Sequence, residues 1–129
     1  MTEVRRAAIE RSIEAFNRQD FDAALAEMSP DIELVPVEDS PDSSPLRGHE
    51  AVRKYWLPDV FEWQRVELGK LTECGERVLA EVTFQTRGAG SGIEIAQAAY
   101  MVCTFSGELV SRVQLFLDRD RARNAAGLD

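Results

Sequence analysis

Residues 92–118, GIEIAQAAYMVCTFSGELVSRVQLFLD, decide how this chain folds. They read as two long strands joined at Phe105-Ser106-Gly107-Glu108, where Gly107 supplies the positive φ of a tight turn and Ser106 and Glu108 are readily solvated. The second arm alternates. Val113, Leu115 and Leu117 point one way, and Arg112, Gln114, Phe116 and Asp118 the other. The first arm does not alternate: Ala96, Ala98, Tyr100 and Val102 share one face, Gln97, Ala99, Met101, Cys103 and Phe105 the other. Both faces are largely apolar, and in an antiparallel sheet that predicts cover on both sides. The chain's own helices supply one cover. The expected second cover is another copy of the chain, a homodimer through the outer sheet face.

Upstream, residues 2–17 carry apolar side chains at Val4, Ala8, Ile9, Ile13 and Phe16, a helical spacing, with Thr2 as N-cap. Arg18-Gln19-Asp20 breaks the pattern, and Asp20 caps a second predicted helix, residues 21–28, stopped by Ser29-Pro30. Residues 31–37 alternate as a short strand ending at Pro36, which predicts an edge strand. Residues 38–45, EDSPDSSP, form a polar, proline-rich loop, and its reading as a plain loop outweighs that of a lid. The spacing predicts a third helix over 48–63, kinked or divided at Pro58. Two strands, 65–73 and 77–87, flank the hairpin signal Cys74-Gly75-Glu76. Residues 88–92 are a turn, not a phosphate loop, because no helix follows to supply an N-terminal dipole. A charged helix over 118–126 ends at Gly127.

With 129 residues, 44% hydrophobic and 29% charged, the chain is expected to be one domain, 1–129. The net charge of −8 disfavours a nucleic-acid backbone or an anionic membrane as partner. No apolar run approaches the roughly 18 residues of a membrane span, and the N-terminus has no signal-type apolar segment. Cys74 and Cys103 form neither a disulfide framework nor a zinc pattern, so reduced thiols in a cytoplasmic protein are expected, with no metal and no cofactor.

The element order, helix-helix-strand-helix and then four antiparallel strands, predicts an α+β cone: a curved, mostly antiparallel sheet around three helices, with a cavity inside and a short C-terminal helix. That order resembles the nuclear transport factor 2-like superfamily and, within it, the SnoaL-like (polyketide-cyclase-like) group. The resemblance rests on AFNRQDFDAALAEMSPDIEL (15–34), LRGHEAVRKYW (46–56) and GSGIEIAQAAYMVCTFSGELVSRVQLFLDRDRA (90–122), and covers essentially the whole chain. It implies the fold. It does not imply one activity, because this cone hosts isomerases, cyclases, hydrolases, dehydratases and noncatalytic members.

The catalytic patterns of the resemblance do not carry over. A ketosteroid isomerase-like site needs a carboxylate base ending the first strand, a helix-one Tyr and a protonated Asp on the fourth strand. Those places hold Pro36, Ser12 and Met101. The Asp–Arg–Asp relay of limonene epoxide hydrolase-like members meets Val82, Phe84 and Gln114. The His/Asp pair of SnoaL-type cyclases has only His49 to draw on, in the first turn of a helix, where a solvated role is expected.

The candidate ligand-binding set is Phe16, Leu34, Tyr55, Trp56, Phe84, Gln97, Met101, Arg112, Gln114 and Phe116. Within it, the resemblance turns the face of Arg112, Gln114 and Phe116 towards the cavity, where a guanidinium and an amide would orient a carbonyl- or carboxylate-bearing ligand. The competing reading pairs Arg112 with a carboxylate at the cavity mouth. Phe16, Tyr55 and Trp56 serve as core, as ligand platform, or as both. Glu33 is expected on the outer face, Cys103 as a packed thiol, and Asp118 to Arg121 as a solvated helix start.

The function expected is therefore binding of a small, largely apolar molecule. The alternatives are an isomerase- or cyclase-type enzyme with an unrecognised site drawing on Glu33, His49 or Tyr55, and a noncatalytic dimeric interaction module whose cone is filled by its own side chains.

Overall fold

A computed structural model describes residues 3–37, 44–56 and 61–128. The elements are α1 (Glu3–Asn17), α2 (Phe21–Leu25), β1 (Met28–Val35), β2 (Leu46–Arg47), α3 (His49–Tyr55), β3 (Phe61–Cys74), β4 (Arg77–Gly88), β5 (Glu94–Ser106), β6 (Leu109–Phe116) and α4 (Arg119–Ala126).

The helix ends follow the chemistry of their caps. The Asp20 carboxylate accepts from the Ala23 N–H at 3.2 Å and starts α2. Asp118 accepts from Asp120 N–H and Arg121 N–H at 2.8 and 3.2 Å and starts α4. Gly127, at φ 86°, ends α4 in the left-handed conformation, and Leu128 N–H closes back on the Arg123 carbonyl at 2.7 Å.

Several boundaries differ from the sequence reading. α2 ends at Leu25 rather than Met28, and Ser29-Pro30 lies inside β1. The ladder tolerates Pro30 there because the β1–β6 register shifts between Met28 and Glu33, so the missing N–H falls within an irregularity. β1 is not an edge strand: β2 pairs with it on one side and β6 on the other. β2 comes from Leu46 and Arg47, read before as the approach to a helix. α3 stops at Tyr55, and Phe61 to Trp63 open β3. The predicted division at Pro58, and residues 38–43 of the proline-rich loop, lie outside the described residues.

The sheet is open and mixed, in the order β2-β1-β6-β5-β4-β3, and antiparallel throughout except for the parallel β1–β6 pair. A bulge between Leu68 and Leu71 breaks the β3–β4 ladder. Gly69 sits in it, where a Cβ would lie 3.0 Å from the Glu81 carbonyl oxygen. Bulges of this kind bend and twist a sheet, which suits the curved wall of a cone.

The concave side holds α1, anchored at both ends. Near its start, Arg5 donates to Glu73 at 3.2 Å, to the Gly75 carbonyl at 2.8 Å and to Glu76 at 3.1 Å, and lies over the Phe105 ring. At its end, the Asn17 amide pairs with both backbone groups of Val66, each at 2.8 Å. The helix thus runs from the β3–β4 turn towards the start of β3.

Two cores result. The concave core gathers Ile9, Leu25, Ile32, Leu34, Val52, Val78, Cys103, Phe105, Val113 and Leu115, and the convex core gathers Leu79, Val102, Phe116, Ala122 and Ala126. The second cover expected from another copy is therefore supplied in part by α4 of the same chain, which seals Val102 and Phe116 and packs against Tyr100. Among the described residues no helix is long and apolar enough to cross a membrane.

Candidate functional site

Between the helices and the concave sheet lies a cavity of about 660 Å³. α1 contributes Ile9, Ser12, Ile13 and Phe16. β1 contributes Met28, Ile32 and Leu34, and α3 contributes Val52, Tyr55 and Trp56. The sheet wall is Val66, Phe84, Gln97, Met101, Cys103, Val113 and Leu115, with Leu117 just past it. One aromatic cluster braces the helical wall: Phe16 meets Trp56 edge-on at 5.3 Å, and Phe21 tilts against both at 5.6 and 5.7 Å.

Seven of the ten residues chosen from sequence line this space: Phe16, Leu34, Tyr55, Trp56, Phe84, Gln97 and Met101. Arg112, Gln114 and Phe116 do not. Register shows why. Cys103 stands opposite Val113 and Met101 opposite Leu115, whereas Thr104 faces Arg112, Val102 faces Gln114 and Tyr100 faces Phe116. Residues directly opposite share a sheet face. Val113 and Leu115 therefore line the cavity, and the Arg112 face is convex.

Arg112 has the carboxylate partner the competing reading required, but on the outside. Its Nε lies 2.9 Å from Glu33, whose second oxygen is 2.8 Å from Arg47 Nη2. Glu33 is on the outer face as expected, bridging β6 to β2. Phe116 packs under α4. His49 departs from the solvated role expected of it: it is half-buried, with Nε2 3.1 Å from the Met28 carbonyl, and it does not line the cavity.

Few polar groups reach the cavity. Ser12 is committed elsewhere, its hydroxyl donating to the Ala24 carbonyl at 3.0 Å. The Cys103 thiol is pushed up to about 12 by burial, so it stays protonated at neutral pH. Burial also raises the Tyr55 hydroxyl above its ordinary value. Gln64 donates to the Trp56 carbonyl at 2.6 Å, tying the end of α3 to β3. Gln64, Arg65, Thr86 and Ile95 also line the cavity and lie outside the candidate set. The strand of Gln64 starts at Phe61, four residues before the expected 65, while Thr86 shares the strand face of Phe84.

Among the described residues no Asp, Glu or His lines the cavity, and no group of three or more His, Cys, Asp or Glu is placed to hold a metal ion. The places that a ketosteroid isomerase-like dyad would occupy hold a buried proline, Pro36, a committed serine, Ser12, and an apolar Met101. The relay positions fare no better, with Val82 in the core and Gln114 on the convex side.

An open, curved sheet closed over helices and a hollow apolar interior define a nuclear transport factor 2-like cone. More narrowly, the chain belongs to the SnoaL-like domain family, whose model matches residues 9–113. Solved structures share the architecture across nearly their whole length. An NTF2-like protein of unknown function from Burkholderia pseudomallei superposes with a TM-score of 0.79 at 21% identity, covering 97% of this chain and 98% of that one. TerC, co-crystallised with polyporic acid, gives 0.79 at 20% identity, covering 96% and 98%. A Mycobacterium tuberculosis protein in complex with estradiol-17beta-hemisuccinate gives 0.77 at 14% identity, covering 92% and 97%. At such identities the likeness is one of fold. No curated protein matches the chain.

Proposed function

We propose that this protein binds a small, largely apolar molecule in the cone cavity. The observation that carries the reading is the cavity itself: about 660 Å³, walled by aliphatic and aromatic side chains, with no acid–base pair among its described lining residues. A space of that size falls in the range of ligand sites and speaks against a cone filled by its own side chains. Two structural relatives crystallised with small molecules, polyporic acid and estradiol-17beta-hemisuccinate, support small-molecule binding.

Nile red, a neutral dye that brightens in apolar surroundings, tests this directly. The expected result is a saturable rise with one dye per chain, together with a small organic molecule retained in native mass spectra of gently purified protein. Absence of saturable binding would sink the proposal.

The chain acts as one domain and pairs with a second copy through the part of the convex face that α4 leaves bare. Ala96 and Ala98 are exposed there and Tyr100 is half-buried, a flat apolar strip suited to a symmetric contact. Tyr100 also packs with the α4 cluster, so Tyr100→Asp would disturb folding and pairing together. Ala98→Arg is the cleaner probe. Sedimentation should show a dimer for the natural chain and a monomer for Ala98→Arg, and an unchanged species would count against the interface.

A further inference from the structure

The cavity wall is not chemically uniform along its length, and this follows from strand register. Val78, Cys103 and Val113 form one concave rung of the sheet, and Ala80, Met101 and Leu115 the next. Leu68, Val82 and Ala99 follow, and every one of these residues is apolar or, for Cys103, a protonated thiol. The last two rungs differ. One is Val66, Phe84 and Gln97, and the outermost is Gln64, Thr86 and Ile95. Gln64 and Thr86 are direct cross-strand partners. Gln97 is diagonal to Thr86, a separation of about 7–8 Å that long side chains span.

The ends of the cavity are identified by the helices. The Arg5 end of α1 is tied to the β3–β4 turn, and the Asn17 end to Val66. The polar rungs lie at and beyond that second anchor, where Ile95 and Phe61 are exposed and the cavity opens. Gln64 spends one amide N–H on the Trp56 carbonyl. That fixes its side chain and leaves its own carbonyl oxygen without a partner among the described residues. Thr86 and Gln97 have no side-chain hydrogen bond among the described residues, so their donors and acceptors are available. Arg65 also borders this end, but it stands opposite Gln85, on the convex side of the pleat.

We infer that the ligand is an apolar body carrying one uncharged hydrogen-bonding group, a hydroxyl or carbonyl, and that it binds hydrocarbon end first. Gln64, Thr86 and Gln97 hold the polar group at the open end. The inference rests on the binding function proposed above and adds an orientation and a chemical class to it. Among the described residues the closed end has no free polar partner to offer, since Ser12 is satisfied and Cys103 is buried among hydrocarbon. A polar group placed there would lose its water without replacement. At the open end the same group exchanges water for an amide or hydroxyl. Arg65, the one cation among the described lining residues, is exposed and stands on the convex side of the pleat, so a carboxylate here meets no buried cation to offset its lost water.

Fluorene, 2-hydroxyfluorene and fluorene-2-carboxylate share one carbon skeleton and separate these cases by displacement of Nile red. The expected order places 2-hydroxyfluorene roughly fivefold ahead of fluorene, the yield of about one net hydrogen bond, and the carboxylate last. The double variant Gln97→Leu/Thr86→Val should abolish the preference, so that 2-hydroxyfluorene and fluorene displace the dye equally when both are measured in that variant. Gln64 is kept intact in this test because it also ties down α3. Equal displacement by fluorene and 2-hydroxyfluorene, survival of the preference in the double variant, or strongest displacement by the carboxylate would each overturn the inference while leaving apolar binding in place. Failure of Nile red and all three probes to bind would remove the underlying function as well.

Discussion

The concave and convex faces of β5 and β6 are both apolar, yet they are buried for different reasons. On the concave side, Met101, Cys103, Val113 and Leu115 face a hollow that the helices roof without filling. On the convex side, Val102 and Phe116 pack in one buried cluster with Ala122 and Ala126 of α4. Apolar content on a strand face therefore shows that something covers it, but not whether the cover is a helix, a second copy or a ligand. The distinction lies in side-chain size across the gap. Alanines on α4 let that helix approach the sheet closely, whereas Phe16 and Trp56 stack on each other along the helical wall of the cavity.

The contrast can be attacked from either face. The greatest effect is expected from Ile32→Asp, since Ile32 is 0% exposed at the floor of the concave core. An unpaired carboxylate there costs more than about 4 kcal/mol, a large share of the stability of a small domain. Circular dichroism should show a chain that does not fold. A cooperative melt near that of the natural protein would contradict the concave packing. Next comes Phe116→Ala under α4, expected to cost about 3 kcal/mol by chemical denaturation. Nile red binding should be untouched in the folded protein, because the lost contacts are all convex. Loss of dye binding would show that the two faces are not separate.

Burial of Cys103 gives the third prediction. Its thiol is raised from 9.0 to about 12 in the folded chain. Between those values the unfolded chain releases the proton and the folded chain keeps it. The resulting stability is complete below about pH 9 and declines as pH rises towards 12, by about 1 kcal/mol at pH 10. The difference in unfolding free energy between pH 8 and pH 10 should be smaller in Cys103→Ala. An equal loss in both proteins would place the thiol in a wetter site. The smallest effect belongs to Glu33→Ala. The convex pairs of Glu33 with Arg112 and Arg47 are partly exposed, so a loss of at most about 1 kcal/mol is expected by denaturant titration. A loss of several kcal/mol would mark Glu33 as buried machinery instead.

Much of the architecture was legible from the chain, because its signals are local. Asp20, Asp118 and Gly127 announce helix ends through side-chain oxygens and backbone freedom alone, and Gly75 and Gly107 mark hairpins that form where expected. What was not legible depends on partners far away in sequence. β2 is a strand only because Glu33 and Leu34 pair with Arg47 and Leu46. Ser29-Pro30 reads as a helix stop, but the β1–β6 irregularity makes it part of a strand. The face of β6 was misassigned for the same reason. Its alternation separates Val113 and Leu115 from Arg112 and Gln114 without saying which set points inward. Pairing with β1 decides it, setting Leu34 beside Val113 and Glu33 beside Arg112. Helical spacing and bulk mark the inward sides of the helical wall and of Met101, so those lining positions are legible, whereas Gln64 carries no such mark and Thr86 only its alternation with Phe84.

The central claim, that the concave face alone holds the ligand, is tested most directly by two tryptophans on opposite sides of the same strand pair. Met101 and Gln114 lie on adjacent rungs of β5 and β6, one lining the cavity and one outside it. Nile red titration of folded Met101→Trp should show binding abolished or weakened at least tenfold, because the indole fills the space. Gln114→Trp should bind the dye as the natural chain does. Equal binding by both variants, or loss in Gln114→Trp alone, would contradict the account.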